Sequence, residues 1–254
     1  MNSDPKSILI TGASSGIGKA LAVAYAAPGV YLALCGRTPE RLAEVAELCH
    51  SKGAETSIRT LDVQDQKVMS DWVVKIDRVN PLDLVIANAG VSSGTGVDGT
   101  EEEQTRDIFS VNIRGMLNTI LPIIDRMKLR RRGQIALVSS LAGFRGLPTA
   151  PAYGASKAAV RSYGEGLRGR LAGDGIQVNV ICPGFVRSRI TDTNSFRMPF
   201  FMEAEKAANI IKKGLQKNKP RIAFPWQTYV LVRLVSALPL SWTDGFLSRG
   251  PKKV

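Results

Sequence analysis

The sequence predicts an α/β protein built on a doubly wound parallel sheet, and three observations predict it. Short apolar runs alternate with helical patterns along most of the 254 residues, and strands separated by helices pair in parallel, because each crossover returns the chain to the same end. A glycine-rich turn joins the first apolar run to the first helix. Each apolar run also ends in glycine or short polar residues: residues 11–18, Gly36-Arg37, Leu61-Asp62-Val63, Asn88-Ala89-Gly90, Ser139-Ser140 and Cys182-Pro183-Gly184. Ligands of open α/β sheets sit beyond the carboxyl ends of the strands, so six such ends in a row mark a binding edge rather than six unrelated turns.

Ile8-Leu9-Ile10 forms the first strand. Gly12-Ala13-Ser14-Ser15-Gly16-Ile17-Gly18 follows and opens into helix-forming residues 19–27, closed by Pro28-Gly29. Free backbone N–H groups and the helix dipole at such a start favour a phosphate, and glycines let the backbone approach it. The spacing is G-x-x-x-G-x-G, and residues 12–16 also fit the G-x-S-x-G nucleophile elbow. This stretch alone therefore supports a nucleotide binder, a serine hydrolase or an ordinary glycine turn.

Residues 30–35 read as strand two, and residues 39–50 as an amphipathic helix with Leu42, Val45, Ala46 and Cys49 at helical spacing. Residues 56–61 alternate as a third strand. Residues 65–79 are helical, with Val68, Trp72 and Ile76 on one face, and residues 82–87 are strand four. The glycine-rich loop 90–99 precedes a long helix over residues 100–127, opened by the Thr100/Glu103 capping box. Residues 134–138 and 176–181 are strands around a helix over 153–171; a helix over 203–216 and a seventh strand over 221–224 follow. There is no linker or repeat, so residues 1–254 read as one domain.

A chain of this length, 44% hydrophobic, has ample material for a large core. There is no run of 18 apolar residues, and the N-terminus lacks a signal-peptide layout. Cys35, Cys49 and Cys182 are far apart and read as buried apolar residues in a reducing cytoplasm, with no metal site. The net charge of +12 suits anionic partners without choosing among them. Its densest cluster, Lys128, Arg130, Arg131 and Arg132, has no interleaved aromatics and reads as a solvated loop, not a nucleic-acid contact. The single histidine, His50, stands 36 positions after Ser14 and early in the chain. A hydrolase of this strand–turn–helix design places its histidine late, after the acid, which makes the hydrolase a remote alternative.

Tyr153 and Lys157 stand one helical turn apart on one face. A phenol ordinarily titrates near pH ~10, and a nearby cation favours the phenolate. Such a tyrosine can give a proton to a carbonyl oxygen or take one from an alcohol. Ser140, at the end of strand five, can donate to the same oxygen; Ser139 competes for that role.

Residues 11–18, Asn88-Ala89-Gly90, Asn112, Ser140, Tyr153-x-x-x-Lys157 and Pro183-Gly184 together resemble the short-chain dehydrogenase/reductase family from about residue 7 to about residue 224. The resemblance implies a seven-stranded Rossmann sheet with helices on both faces, a nicotinamide dinucleotide, and hydride transfer between it and a carbonyl or secondary alcohol. It implies Tyr153 as acid/base, Lys157 as the group that lowers its pKa and holds the nicotinamide ribose, Ser140 on the substrate oxygen, and Asn112 holding a water in a proton relay. Cofactor contacts are implied for Gly12, Ser14, Ser15, Gly16, Ile17, Gly18, Asp62, Val63, Asn88, Ala89, Gly90, Val111, Tyr153, Lys157, Pro183, Gly184, Val186 and Ser188. Ala87 and Ser188 depart from the common pattern, where a second asparagine and a threonine are usual.

An NAD-preferring site carries an acid about 20 residues after the glycines. Here Gly36-Arg37 occupies that place, so an acid is missing and a guanidinium is present, which favours the 2′-phosphate of NADP(H) over NAD(H). The complete set Asn112, Ser140, Tyr153 and Lys157 argues for an enzyme over a catalytically silent dinucleotide-binding sensor or scaffold. Residues 91–99, 187–201 and 225–254 are where substrate specificity would lie, and Ile190, Phe196, Met198, Phe200 and Phe201 suggest an apolar pocket.

Small residues Ala155, Ala158 and Ala159 permit close helix packing, and the family resemblance implies a homodimer or homotetramer about a two-fold axis. The extension over residues 225–254 is an apolar helical segment bracketed by Pro225 and Pro239 and interrupted by Arg233. It requires a cover. A substrate lid or a subunit contact is favoured; peripheral contact with anionic lipid, through Trp226, Tyr229 and Trp242 with Arg249, Lys252 and Lys253, is the alternative.

Overall fold

A computed structural model describes residues 4–93, 95–192 and 196–247. Seven parallel strands form one sheet: β1 (Ser7–Thr11), β2 (Tyr31–Gly36), β3 (Glu55–Thr60), β4 (Leu84–Ala87), β5 (Gly133–Val138), β6 (Ile176–Pro183) and β7 (Arg221–Phe224). Their order is β3-β2-β1-β4-β5-β6-β7. The chain grows outward from β1 to β3, returns to the middle and grows the other way from β4. The reversal between β1 and β4 leaves a crevice at their carboxyl ends.

Alternation along each strand builds the two faces. Ile8, Ile10, Leu32, Leu34, Leu84 and Ile86 are fully buried toward α1 (Gly16–Tyr25), α2 (Pro39–His50) and α8 (Ala204–Gln216). Leu9, Ala33, Cys35, Val85 and Leu137 point the opposite way, toward α3 (Gln66–Val79), α5 (Met116–Leu129) and α6 (Pro151–Leu171). All three cysteines are buried.

Three sequence expectations need correction. In α3 the buried stripe is Met69, Trp72, Val73 and Ile76, while Val68 is 37% exposed; spacing of four drifts around a helix of 3.6 residues per turn, and Val68 drifts off the core. The long helix over 100–127 is three pieces: α4 (Glu101–Phe109), a π-helical turn (Ser110–Gly115) and α5. The Thr100/Glu103 capping box at its start is present. The π turn carries Asn112, whose amide bonds both the N–H and the C=O of Val91 and so stands in for a neighbouring strand.

The basic cluster ends in an exposed turn at Arg131 and Arg132, but its charges are paired rather than free. Arg130, with Arg126, pairs with the buried Asp77; Arg132 pairs with Asp83, and Lys128 with Asp174. Arg131 donates to the Gly173 carbonyl. The cluster ties α5 to α3 and to the start of β4, and a doubly paired buried carboxylate costs several kcal/mol to strand (~3–5).

After β7, α9 (Trp226–Ala237) and α10 (Leu240–Leu247) complete the described chain. No helix among the described residues is long and apolar enough to cross a membrane. Arg249, Lys252 and Lys253 lie outside the described residues.

Candidate active site

A cleft of about 940 Å³ runs along the carboxyl ends of the strands, from the β1–α1 turn to α9. Its floor depends on glycine at two places. Gly12 has φ +65°, and a Cβ there would lie 2.9 Å from the Ala89 Cα. A Cβ on Gly18 would fall 2.2 Å from the Gly12 carbonyl oxygen, so only glycine lets α1 start this close to the turn. Asn88 fastens the neighbouring loop to that turn, donating from Nδ2 to the carbonyls of Thr11 and Gly12.

The residues singled out from the sequence converge here, with two exceptions. Gly12, Ser14, Ser15, Gly16, Ile17, Arg37, Asp62, Val63, Asn88, Ala89, Gly90 and Val111 line one half of the cleft. Ser140, Tyr153, Lys157, Pro183, Gly184, Val186 and Ser188 line the other. Gly18 sits behind the turn it makes possible. Asn112 is buried behind the cleft, and its amide is spent on Val91 and on the Ser156 hydroxyl. These bonds hold Val91 and α6 in register.

The two serines divide. Ser139 Oγ donates 2.6 Å to the Lys157 carbonyl and is committed to α6. Ser140 Oγ caps the turn at Ala142 (3.1 Å) and keeps contact with the Tyr153 phenol. Lys157 Nζ donates 3.0 Å to the Val138 carbonyl and lies 5.7 Å from the centre of the Tyr153 ring.

Burial pushes the Tyr153 phenol above its ordinary value, with the Ser140 hydroxyl pulling the other way. Burial pushes Lys157 down to about 8. Both groups share a water-poor pocket, and in each burial is the larger cause of the shift.

Sequence reasoning missed several cleft residues. Arg41 lines it from the first turn of α2, which Pro39 opens, four positions after Arg37. Arg145, in the loop before α6, and Thr228, on α9, line the far end. Among the described residues, the buried side-chain polar atoms without a hydrogen-bond partner are Arg41 Nε, Arg145 Nε and Thr228 Oγ1, and all three belong to cleft residues. Of the expected apolar set, Ile190 and Phe196 line the cleft, whereas Phe200 is exposed and Phe201 packs under Arg187. Leu231, Val232 and Val235 of α9 supply the rest of the apolar wall. The hydrolase arrangement is absent: His50 bonds the Thr56 hydroxyl and is not a cleft residue.

The sequence profile of the short chain dehydrogenase family matches residues 6–197. The chain belongs to that family. An uncharacterized oxidoreductase of Myxococcus xanthus is 38% identical over 235 residues, covering 92% of this chain and 93% of the relative. A short-chain dehydrogenase from Sphingobium yanoikuyae in complex with NADPH superposes with a TM-score of 0.80 at 23% identity, covering 98% and 97% of the two chains. One from Mycobacterium paratuberculosis bound to NAD superposes at 0.73 and 26% identity, covering 86% and 94%. This chain is accordingly a short-chain dehydrogenase/reductase with a nicotinamide-dinucleotide fold.

Proposed function

We propose that the protein is an NADP(H)-dependent oxidoreductase acting between a carbonyl and a secondary alcohol on an apolar substrate, with Tyr153 as general acid/base. The observation that carries this reading is the meeting of Ser140, Tyr153 and Lys157 in one cleft whose other end holds Arg37 and Arg41. The fit of the dinucleotide rests on the glycine floor, which a Cβ would fill, and on the orphaned Arg41 Nε. Arg37 and Arg41 would hold the 2′-phosphate, residues 12–17 the pyrophosphate beside the start of α1, and Asp62 the adenine.

When bound, the dinucleotide supplies or accepts the hydride. The protein's own groups manage the oxygen. Ser140 Oγ donates to the substrate oxygen and fixes it beside the phenol. Tyr153 Oη gives its proton to that oxygen in reduction and takes it back in oxidation. Lys157, held by the Val138 carbonyl, keeps a proton at Nζ close to the phenol and stabilises the phenolate left behind. Asn112 acts by position, bracing Val91 and, through Ser156, the turn of α6 that carries Tyr153. Leu231, Val232 and Val235 exclude water from above.

The protein assembles as a homodimer or homotetramer through the exposed faces of α4, α5 and α6. The outward side chains Trp226, Leu234, Leu240 and Trp242 of α9 and α10 are exposed and fit the edge of an anionic lipid surface; flotation with anionic vesicles tests this. The reaction itself is tested by a panel of aldehydes and ketones, aromatic and aliphatic, followed by loss of NADPH and of NADH absorbance in parallel. Turnover with NADPH on apolar ketones is expected, and a panel without turnover by either cofactor refutes the reading.

A further inference from the structure

Among the described residues, five cationic side chains line the cleft. Arg37, Arg41, Lys157, Arg145 and Arg189 line it, and Asp62 is its one carboxylate residue. Asp62 follows β3, Arg37 follows β2 and Arg41 lies on α2, and these answer the adenosine half. Arg189 is exposed on α7 (Arg189–Asp192), where solvent screens it. Arg145 is different: its side chain is only 10% exposed. Its Nη2 contacts the Thr243 hydroxyl and, at 3.4 Å, the carboxylate of Asp244, which is 69% exposed and so a weak counter-charge. Its Nε is buried with no partner. The Thr228 hydroxyl, on α9 in the same cleft, is buried and unpartnered as well.

A guanidinium donor and a hydroxyl left unmatched in a largely apolar wall cost free energy in the free protein, and an acceptor on a ligand recovers it. Around them stand Leu147, Phe196, Leu231, Val232 and Val235, which can only receive hydrocarbon. We infer that the substrate is an apolar carbonyl compound carrying an anionic group, a carboxylate or a phosphate, at the end away from the reacting carbon, and that Arg145, with Thr228 in the same cleft, reads that group. The reacting carbonyl goes to Ser140 and Tyr153, the hydrocarbon to the α9 wall, and the anion to Arg145. This deepens the reductase reading and rests on it for the placement of the carbonyl alone.

Direct binding separates the two. Octanoate, octyl phosphate and neutral methyl octanoate are titrated calorimetrically into the full-length protein, with and without NADP+. At least one of the two anions is expected to bind about tenfold or more tightly than the ester, and which of the two does so identifies the headgroup. Arg145→Met should bring that ratio to about one, with Arg145→Lys intermediate, because lysine keeps the charge and loses the planar fork. Thr243→Val and Asp244→Asn, which release α10 from Arg145 without removing the cation, should keep the ratio; Arg189→Gln should keep it too. Equal binding of ester and anions by the wild-type protein, or a ratio that survives Arg145→Met, or one lost equally in Thr243→Val, overturns the inference. Failure of every carbonyl to turn over, with the anion preference intact, would instead refute the reductase reading.

Discussion

Lys157 Nζ lies 5.7 Å from the centre of the Tyr153 ring, with its one protein acceptor, the Val138 carbonyl, 3.0 Å away. Lys157 is 4% exposed and, among the described residues, pairs with no carboxylate, so burial pushes its pKa from 10.5 to about 8. The unfolded chain therefore holds this proton up to 10.5 and the folded chain only up to about 8. Between those values the unfolded state binds more protons, and stability contributed by this group rises with pH. Below pH 8 both states are charged and the fold bears the full cost of the buried ammonium.

Lys157→Met is accordingly expected to stabilise the cofactor-free protein near pH 7 by ~1–3 kcal/mol, the desolvation cost less the lost hydrogen bond. The gain should shrink as pH rises from 8 toward 10.5. Thermal denaturation of both proteins across that range measures it. A gap independent of pH would mean that the charge on Lys157 is not its source.

Tyr153→Phe keeps the ring that fills the cleft and removes the proton. Turnover is expected to fall by about 10²–10⁴, while NADPH affinity, measured by fluorescence titration, stays within about twofold of wild type because the dinucleotide rests mainly on the opposite half of the cleft. Retention of wild-type turnover would remove Tyr153 from the chemistry.

Arg37 and Arg41 should divide the cofactor preference between them. A charge-assisted hydrogen bond contributes about 1.5–3 kcal/mol, so Arg41→Met is expected to weaken NADPH binding by about 10–100-fold and leave NADH nearly unchanged. Arg37→Asp should reverse the order, since a carboxylate repels the 2′-phosphate and accepts from the 2′-hydroxyl. Equal affinity of the wild-type protein for the two dinucleotides would refute both expectations.

How much of this was legible before the structure depends on how local each signal is. The capping box of Thr100 and Glu103 spans four residues and forms as read. The strand ends were legible because period and punctuation repeat, and they place Gly12, Asn88, Ser140 and Pro183 around one cleft. Tyr153 and Lys157 were legible as one helical turn. Arg41 was overlooked because it reaches the cleft from the first turn of α2, a matter of direction rather than spacing. Arg145 and Thr228 belong to a loop and to α9, 83 positions apart, and only the packing of α9 across the sheet end brings both to the cleft. Charge patterning misled at Arg130 because its partner, Asp77, lies on another helix.

The proposed assembly rests on the outer surface of α6. Ala155 and Ala159 are exposed on it, and Phe109 and Leu121 are exposed on α4 and α5. About a two-fold axis this patch would pair with its own copy, and its small residues permit close approach. Ala159→Arg would set like charges and added bulk against each other, and is expected to shift the protein toward monomer in light scattering at micromolar concentration. A wild-type protein that is monomeric in the same measurement would refute the dimer.

The last expectation concerns how α9 is held over the cleft. Tyr229 is its anchor: the phenol accepts from Arg221 Nη1 at 2.9 Å, and its ring meets Phe144 edge-on at 5.7 Å. Arg221 is in turn paired with Glu165 on α6, the helix that carries Tyr153. Thr228, Leu231, Val232 and Val235 are thereby set against the substrate end through a tie to the catalytic helix itself. Tyr229→Ala removes both the ring contact and the hydrogen bond. KM for an apolar ketone is expected to rise about tenfold, with kcat and NADPH affinity close to wild type, because Arg37, Arg41 and residues 12–17 belong to other elements than α9. Tyr229→Phe keeps the ring contact and should change KM by less than about threefold. A version ending at Phe224 should show the Tyr229→Ala effect enlarged. If that shortened protein keeps its KM for apolar ketones, α9 is not the wall that receives them.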